Sequence, residues 1–350
     1  MSIDKFKNTA FIDINGITHF FENIKEAELS KYILNDDINF ATNDDILSIF
    51  NKNYEDDEQI EDYLTFTVEN DSSFSFTKGD FTSNNIEYST DKSNWTILSN
   101  DSTPIFKSGT KVYWKGNLTT DSTSGIGNFS STDKFNISGN PISLLKNNKL
   151  VNFVFAELFR DCEGLTDASG LKLDSTTLLE GCYSFMFYSC TSLTKAPELP
   201  ATNLANSCYN SMFGNCTSLT EAPELPATNL ANSCYSYMFI NCTSLTEAPE
   251  LPATNLANSC YSYMFMSCTS LTEAPELPAT NLANSCYSYM FMSCWKLNYI
   301  KIYATDISAN NCLQTWVAGV SSTGTFYKDA LTHFETGYSG IPEGWNVIDF

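Results

Sequence analysis

A 26-residue repeat fills much of the C-terminal half of the chain and limits what the chain can fold into. All twelve cysteines of the sequence occupy one of two repeat positions, six in each. The first series is Cys182, Cys208, Cys234, Cys260, Cys286 and Cys312; the second is Cys162, Cys190, Cys216, Cys242, Cys268 and Cys294. Because so short a unit cannot bury its apolar residues alone, neighbouring units must stack to form a continuous core.

Each unit contains two kinds of local pattern. In ATNLANSCYNSMFGNC, Leu204, Cys208 and Met212 are spaced by four, which predicts a helix of about three turns. The remainder, TSLTEAPELPA, predicts a short extended segment, because Pro223 and Pro226 lack amide donors. One helix and one extended segment per unit lie within the length of about 20 to 29 residues that is typical of leucine-rich repeats. We therefore predict a solenoid of about six units.

The repeat also resembles a known family. CTSLTEAPELPATNLANSCYSYMF is similar to the repeat of BspA-like leucine-rich-repeat proteins of gut bacteria, their surface adhesins and their phages. The last unit, from Cys294 to Ile302, is closer still to the C-x-x-L-x-x-I-x-I/L pattern of that family. The resemblance covers roughly residues 150–350, including a tail similar to the C-terminal cap of such arrays. It implies a surface-recognition solenoid without catalysis.

Two different segments precede the repeats. Between residues 62 and 147, runs such as YLTFTV and KVYWKG alternate aromatic and β-branched residues between turn-prone clusters, which predicts an antiparallel β-sandwich. Residues 1–61 contain FIDINGITHFF, which predicts either a strand–turn–strand or a strand–helix piece. NIKEAELSKYI and ATNDDILSIF follow, and both have helix patterns. This opening resembles N-terminal modules of bacteriophage virion proteins, which implies attachment to a capsid or tail.

The predicted fold class is therefore multi-domain α+β. We expect four parts: an α/β attachment module at 1–61, a β-sandwich at 62–147, a leucine-rich-repeat solenoid at 148–311, and a C-terminal cap at 312–350.

The charge of the chain excludes some partners. The sequence has 19 basic and 41 acidic residues, a formal charge of −22. So negative a surface repels phosphate backbones and anionic lipids, so we expect no nucleic-acid or membrane partner. The chain shows no apolar run of about 18 residues and no secretory signal pattern at its start.

The cysteines are the first candidate site residues. Their spacings, C-x₇-C and C-x₁₇-C, differ from the C-x-x-C pairs of metal sites. We favour free thiols packed in the core, with disulfides and metal binding as alternatives. The core ladder we predict consists of Cys182, Cys190, Cys208, Cys216, Cys234, Cys242, Cys260, Cys268, Cys286 and Cys294.

Glutamates form two columns in the extended segments. The columns are Glu221, Glu247 and Glu273, and Glu198, Glu224, Glu250 and Glu276. The prolines favour a polyproline-like path of three residues per turn, so both columns are expected to line one surface. We favour a solvated acidic face over calcium or a basic partner, because no EF-hand-type loop is present. No cofactor is expected otherwise.

The repeats differ from one another at a few positions. One variable column is Phe185, Ser211, Tyr237, Tyr263 and Tyr289; another is Tyr188, Gly214, Ile240, Met266 and Met292. On a helix, Asn210 and Gly214 would point outward. Drift on a tolerant surface is one interpretation, and a contact surface in which the tyrosines stack on sugars or protein is the other.

No acid–base pair stands out from its repeated equivalents, and the two histidines, His19 and His333, are expected to be structural. We therefore predict a non-enzymatic virion fibre or decoration protein that binds a host-surface glycan or protein, as a homo-oligomer or within a hetero-oligomeric fibre. Its partners at the N-terminal module would be capsid or tail proteins. The alternative is a BspA-like adhesin of the bacterial cell surface.

Overall fold

The computed structural model describes residues 9–14, 17–22, 62–80, 85–99, 102–121 and 123–350. The chain divides into two compact units, Met1–Gln59 and Ile60–Phe350. In the first unit, strands β1 (Thr9–Ile14) and β2 (Ile17–Glu22) form an antiparallel hairpin. The two helices predicted in this unit lie outside the described residues.

The second unit begins with two sheets whose strands follow the alternating pattern of the sequence. The strands are β3 (Leu64–Val68), β4 (Ser75–Lys78), β5 (Ile86–Ser89), β6 (Thr96–Ile97), β7 (Lys111–Gly116), β8 (Gly127–Ser130), β9 (Phe135–Gly139) and β10 (Leu165–Leu171). Six of them form one sheet in the order β10-β9-β3-β7-β5-β6, and β4 pairs with β8 in a second sheet. All these pairings are antiparallel except that of β10 with β9.

Aromatic rings join these two sheets. Phe66 of β3 lies with its ring centroid 5.0 Å from that of Phe129 in β8, and Trp114 of β7 lies 4.9 Å from Phe129. All three side chains are at most 1% exposed. Burial of such large rings from both sheets is the main stabilising term of this part.

The helices predicted in the repeats are wrong. Among the described residues the helices are two short 3-10 turns, Pro141–Leu144 and Lys146–Asn148. The repeat segments instead fold as consecutive turns. Every fourth residue has a left-handed backbone, as at Ser207, Ser211 and Asn215 with φ of 53°, 54° and 61°. An α-helix requires negative φ throughout, so these residues interrupt it. The described part of the chain is therefore β-rich, with several sheets and almost no helix.

The turn segments bond to each other across one period. The N–H of Ser211 donates to the carbonyl of Ser236 at 2.9 Å, whereas the N–H of Met212 donates back to Tyr209 at 3.2 Å. This alternation continues along the segment, so every second amide reaches the next unit. Successive units therefore form a backbone ladder with a spacing of 26 residues in the sequence.

Identical rings stack along the interior of the repeats. One row runs through Phe159, Phe187, Phe213, Phe239, Phe265 and Phe291, with centroids 5.5–5.8 Å apart and interplanar angles of 3–7°. A parallel row runs through Phe155, Tyr183, Tyr209, Tyr235, Tyr261 and Tyr287. Stacking of each ring on its own copy fixes the register of the units.

Other segments cover both ends of this ladder. At the first unit, the N–H of Phe129 in β8 donates to Leu158. At the last unit, the N–H of Val317 donates to Tyr338, and the Trp316 indole donates to Gly340 at 2.9 Å. The tail also forms a parallel sheet of β11 (Tyr299–Lys301), β12 (Thr325–Lys328) and β13 (Asn346–Asp349). Backbone groups that would otherwise be unpaired at the ladder ends are thus satisfied.

Candidate functional site: an aromatic row on the turn segments

Three tyrosines of one variable column form a continuous row on the outside of the turn segments. The ring centroids of Tyr237 and Tyr263 are 4.3 Å apart, with 9° between the planes. Those of Tyr263 and Tyr289 are 4.5 Å apart, with 10° between the planes. All three side chains are half-buried. We call these three residues the tyrosine row.

The stacking decides which part of each ring a ligand can reach. Both faces of Tyr263 are covered by its neighbours, so the exposed part of this half-buried side chain is its edge, and its hydroxyl already hydrogen-bonds to Tyr237 and Tyr289. Burial raises the pKa of Tyr263 to about 12, and the adjacent phenols of Tyr237 and Tyr289 add to the shift. This hydroxyl therefore stays protonated at neutral pH and acts as a neutral donor and acceptor. Inside the row, the tyrosines therefore present hydroxyls and ring edges rather than the ring faces that the sequence predicted for stacking on a ligand.

The row is interrupted at its N-terminal side. Phe185 is half-buried in the same column, and the guanidinium of Arg160 lies 5.5 Å from its ring centroid and 5.4 Å from that of Tyr188. Ser211, which is 4% exposed, separates Phe185 from Tyr237. Arg160, which also forms ion pairs with Glu157 at 2.8 Å and with Asp161 at 3.4 Å, thus makes a cation–π contact at this end of the column.

Gly214 does not point into solvent as the helix interpretation predicted. It is buried, and a Cβ placed on it would lie 2.8 Å from the Tyr188 ring and 3.0 Å from Cγ2 of Ile240. The absence of a side chain at this position therefore makes room for the large side chains of the adjacent units. At Gly214 the second variable column is therefore constrained by Tyr188 and Ile240 rather than free to drift.

Charged residues are absent from the turn segments of four consecutive units. The ranges 199–220, 225–246, 251–272 and 277–295 contain no Asp, Glu, Lys, Arg or His. In a chain with a formal charge of −22, this uncharged stretch is unusual. The surface around the tyrosine row offers aromatic edges, hydroxyls and amides instead.

An asparagine ladder in the same turn segments was not predicted from the sequence. The side-chain carbonyl of Asn206 accepts the N–H of Asn232 at 3.2 Å, and Asn232 accepts the N–H of Asn258 at the same distance. Asn206, Asn232 and Asn258 are exposed, so their amide groups also face solvent. The repeated LANS motif is the signal that could have indicated them, because an asparagine stacked on its own copy can bond along the ladder.

The glutamate columns lie in the extended segments and are exposed. This holds for Glu198, Glu221, Glu224, Glu247, Glu250, Glu273 and Glu276. Lys301 lies 2.7 Å from Glu276, and this contact holds the pKa of that carboxyl below its usual value. At the opposite end, Lys195 lies 3.2 Å from Asp167. Each end of the acidic surface therefore carries one ion pair with a lysine.

Metal binding has no assembled ligand set in the part of the chain that the structure describes. No group of three or more His, Cys, Asp or Glu side chains comes together there. His333 is exposed and lies 3.1 Å from Glu335, and His19 lies in β2. The calcium alternative gains no ligand cluster from these residues.

All twelve cysteines are buried free thiols. In the second series every thiol except that of Cys162, which donates to the carbonyl of Ser131, donates to a phenylalanine carbonyl of an earlier unit. Cys242 Sγ, for example, donates to Phe213 at 3.1 Å, and Cys268 Sγ to Phe239 at 3.1 Å. Burial raises the pKa of Cys242 to about 12 and that of Cys268 well above its usual value. Thiols that stay protonated are poor nucleophiles and poor metal ligands, so these residues act in packing.

Within the described residues, no helix is both long and apolar enough to cross a membrane. A comparison of the chain with protein-family models, curated proteins and solved structures finds no significant match.

Proposed function

We propose that this protein is a non-enzymatic binding component of a bacteriophage particle, a fibre or decoration protein, whose repeat region forms a leucine-rich-repeat solenoid of about six units. Residues 1–61 would attach it to capsid or tail proteins. The surface around the tyrosine row would contact a glycan or protein on the host cell.

The observation that carries the proposal is the tyrosine row itself. Three half-buried rings stacked at 4.3 and 4.5 Å are held in register by the backbone ladder, on a surface without charged residues. Aromatic side chains presented on a rigid scaffold are typical of binding surfaces, because they supply contact area at a low entropic cost.

The division of the chain supports a modular role. Met1–Gln59 and Ile60–Phe350 are separate compact units, which suits an attachment module joined to a recognition part. The N-terminal resemblance to virion proteins favours a phage particle over a cell surface as the place of attachment.

Mass spectrometry of density-purified particles from the source culture tests the assignment. We expect the chain at a fixed copy number relative to the major capsid protein, high for a head decoration and low for a tail fibre. Its absence from particles, together with its presence in the bacterial surface fraction, would overturn the virion assignment in favour of the adhesin.

The attachment role of the N-terminal module has its own experiment. A chain that lacks residues 1–61 should no longer join particles when it is supplied in a complementation assay. A chain with Tyr237→Phe is the matched control and should be incorporated normally. Incorporation of the truncated chain would place the attachment surface elsewhere.

A further inference from the structure

We infer that the tyrosine row and the asparagine ladder of the same turn segments bind an uncharged polysaccharide through hydroxyl and amide groups. This inference rests on the proposed function and specifies its ligand. It follows from three features of the surface: its charge, the groups it leaves accessible, and its shape.

The charge of the surface selects against charged ligands. An anionic polysaccharide would be repelled by a protein of formal charge −22, since the turn segments supply no cation between residues 199 and 295. A cationic ligand would instead be drawn to the exposed glutamate columns in the extended segments. The uncharged turn segments therefore favour a neutral ligand.

The accessible groups match those of a sugar chain. Stacking covers the ring faces within the row, so Tyr237, Tyr263 and Tyr289 offer hydroxyls, and Asn232 and Asn258 offer exposed amides. Each hydroxyl can both donate and accept, and each amide has two donors and an acceptor. A polysaccharide carries donors and acceptors on nearly every carbon, so it can pair with an evenly spaced line of this kind.

The shape of the surface favours a glycan over a protein. Protein interfaces depend on a few large side chains that fill pockets of the partner. Here the rings are half-buried and already packed against each other, so no single ring projects as an anchor. Many equivalent weak contacts along a line suit a polymer with a repeating unit.

Affinity gel electrophoresis of the full chain tests the inference. The probes are the neutral polysaccharides mannan, dextran, galactan and β-glucan, with anionic polygalacturonate for comparison. We expect retardation by at least one neutral probe and none by polygalacturonate. The affinity should change less than about twofold between about 50 and 500 mM NaCl, because no ion pairs contribute.

A matched pair of variants locates the binding surface. The triple variant Tyr237→Phe, Tyr263→Phe, Tyr289→Phe keeps the ring stack and removes the hydroxyls, so its affinity should fall at least about tenfold. The variant Glu221→Gln, Glu247→Gln, Glu273→Gln changes the other surface and should bind within about twofold of the parent. Unchanged melting temperatures would show that both variants fold.

Three results would overturn the inference: retardation by none of the neutral probes, retardation by polygalacturonate alone, or unchanged affinity of the tyrosine variant. Attachment to host cells treated with protease or with periodate then distinguishes failure of this inference from failure of the proposed function. Attachment that protease destroys and periodate leaves intact would replace the glycan with a protein and keep the recognition role. No attachment to untreated cells would remove both.

Discussion

The turn side and the extended side of each repeat unit contact the neighbouring units in different ways. On the turn side, amides of Ser207, Tyr209, Ser211, Phe213 and Asn215 all donate to carbonyls of the next unit. On the extended side, contact between neighbours is reduced to isolated bridges such as that between Glu221 and Glu247. The turn side is a continuous ladder, whereas the extended side is held by buried leucines.

The prolines of the extended segment explain this difference. Pro223 and Pro226 remove amide donors from the extended segment, so a full ladder cannot form there. Leu219 and Leu225 are nevertheless buried, at 0% and 3% exposure, while Glu221 and Glu224 face solvent. The turn side thus sets the register of the units, and the extended side carries the exposed negative charge of the repeats.

Alkaline pH should have the largest effect, because it acts on the buried thiols of every unit. In the unfolded chain the thiol has its ordinary pKa of about 9, whereas burial raises the pKa of Cys242 to about 12 in the folded protein. Between these values the unfolded chain binds fewer protons, so the free energy of unfolding falls as pH rises. The loss is about 1.4 kcal/mol per pH unit for each thiol.

Denaturant unfolding at pH 7, 8, 9 and 10 measures this loss. The free energy of unfolding should stay level with respect to these thiols below pH 8 and drop steeply above pH 9. Cys242→Ala is the control. Its free energy of unfolding should fall less steeply with pH, because it lacks the contribution of one thiol. Equal stability at pH 8 and pH 10 would mean that the thiols are accessible to solvent.

Truncation of one ring of the interior row should have the next largest effect. Phe239 is 0% exposed and stacks between Phe213 and Phe265 at 5.7 Å on each side. Phe239→Ala should lower the free energy of unfolding by about 3 to 5 kcal/mol. On the extended side of the same unit, Glu247→Gln should change it by less than about 0.5 kcal/mol. Similar losses for both variants in chemical unfolding would abolish the contrast between the two sides.

The left-handed residues of the turn segments should show a smaller effect that depends on the substituted residue. Ser259 has φ of 54°, a conformation that glycine adopts freely and a β-branched residue strongly disfavours. Ser259→Val should therefore cost about 1 to 3 kcal/mol, and Ser259→Gly should cost less than about 0.5 kcal/mol. Thermal unfolding of both variants makes the measurement. A valine variant as stable as the glycine variant would show that this residue is not left-handed in solution.

Charge reversal in a glutamate column should have the smallest effect. Glu247 lies between Glu221 and Glu273 in its column, and like charges at this spacing repel. Glu247→Lys should raise the free energy of unfolding by about 0.2 to 1 kcal/mol at low salt, and high salt should remove the gain. A gain that persists in high salt would point to packing rather than charge.

The sequence pattern predicted the buried residues of the repeat better than its backbone. Cys208, Met212 and Cys216 are buried with the predicted spacing of four, but so are Tyr209 and Phe213. A spacing of four drifts by about 40° per step on a helix with 3.6 residues per turn. In the turn segments a left-handed residue recurs every four residues, so a period of four is kept without drift.

The sequence placed the three tyrosines in one column, but it could not predict that their rings stack. Whether neighbouring rings face each other depends on the separation of adjacent units, which the ladder of backbone hydrogen bonds sets. The same holds for Gly214, whose role depends on Tyr188 and Ile240 from two other units. Contacts between units required the structure, whereas the β-rich pattern of residues 62–147 was readable from alternation alone.

Native-state hydrogen exchange with residue resolution tests the stacking of the units most directly, and the proposed binding surface depends on this stacking. The amides of Tyr209, Tyr235 and Tyr261, which donate to the next unit, should exchange only through cooperative opening of the ladder. The amides of exposed residues on the extended side, such as Glu224 and Glu250, should exchange far faster. Equally fast exchange on both sides would contradict the ladder and the surface built on it.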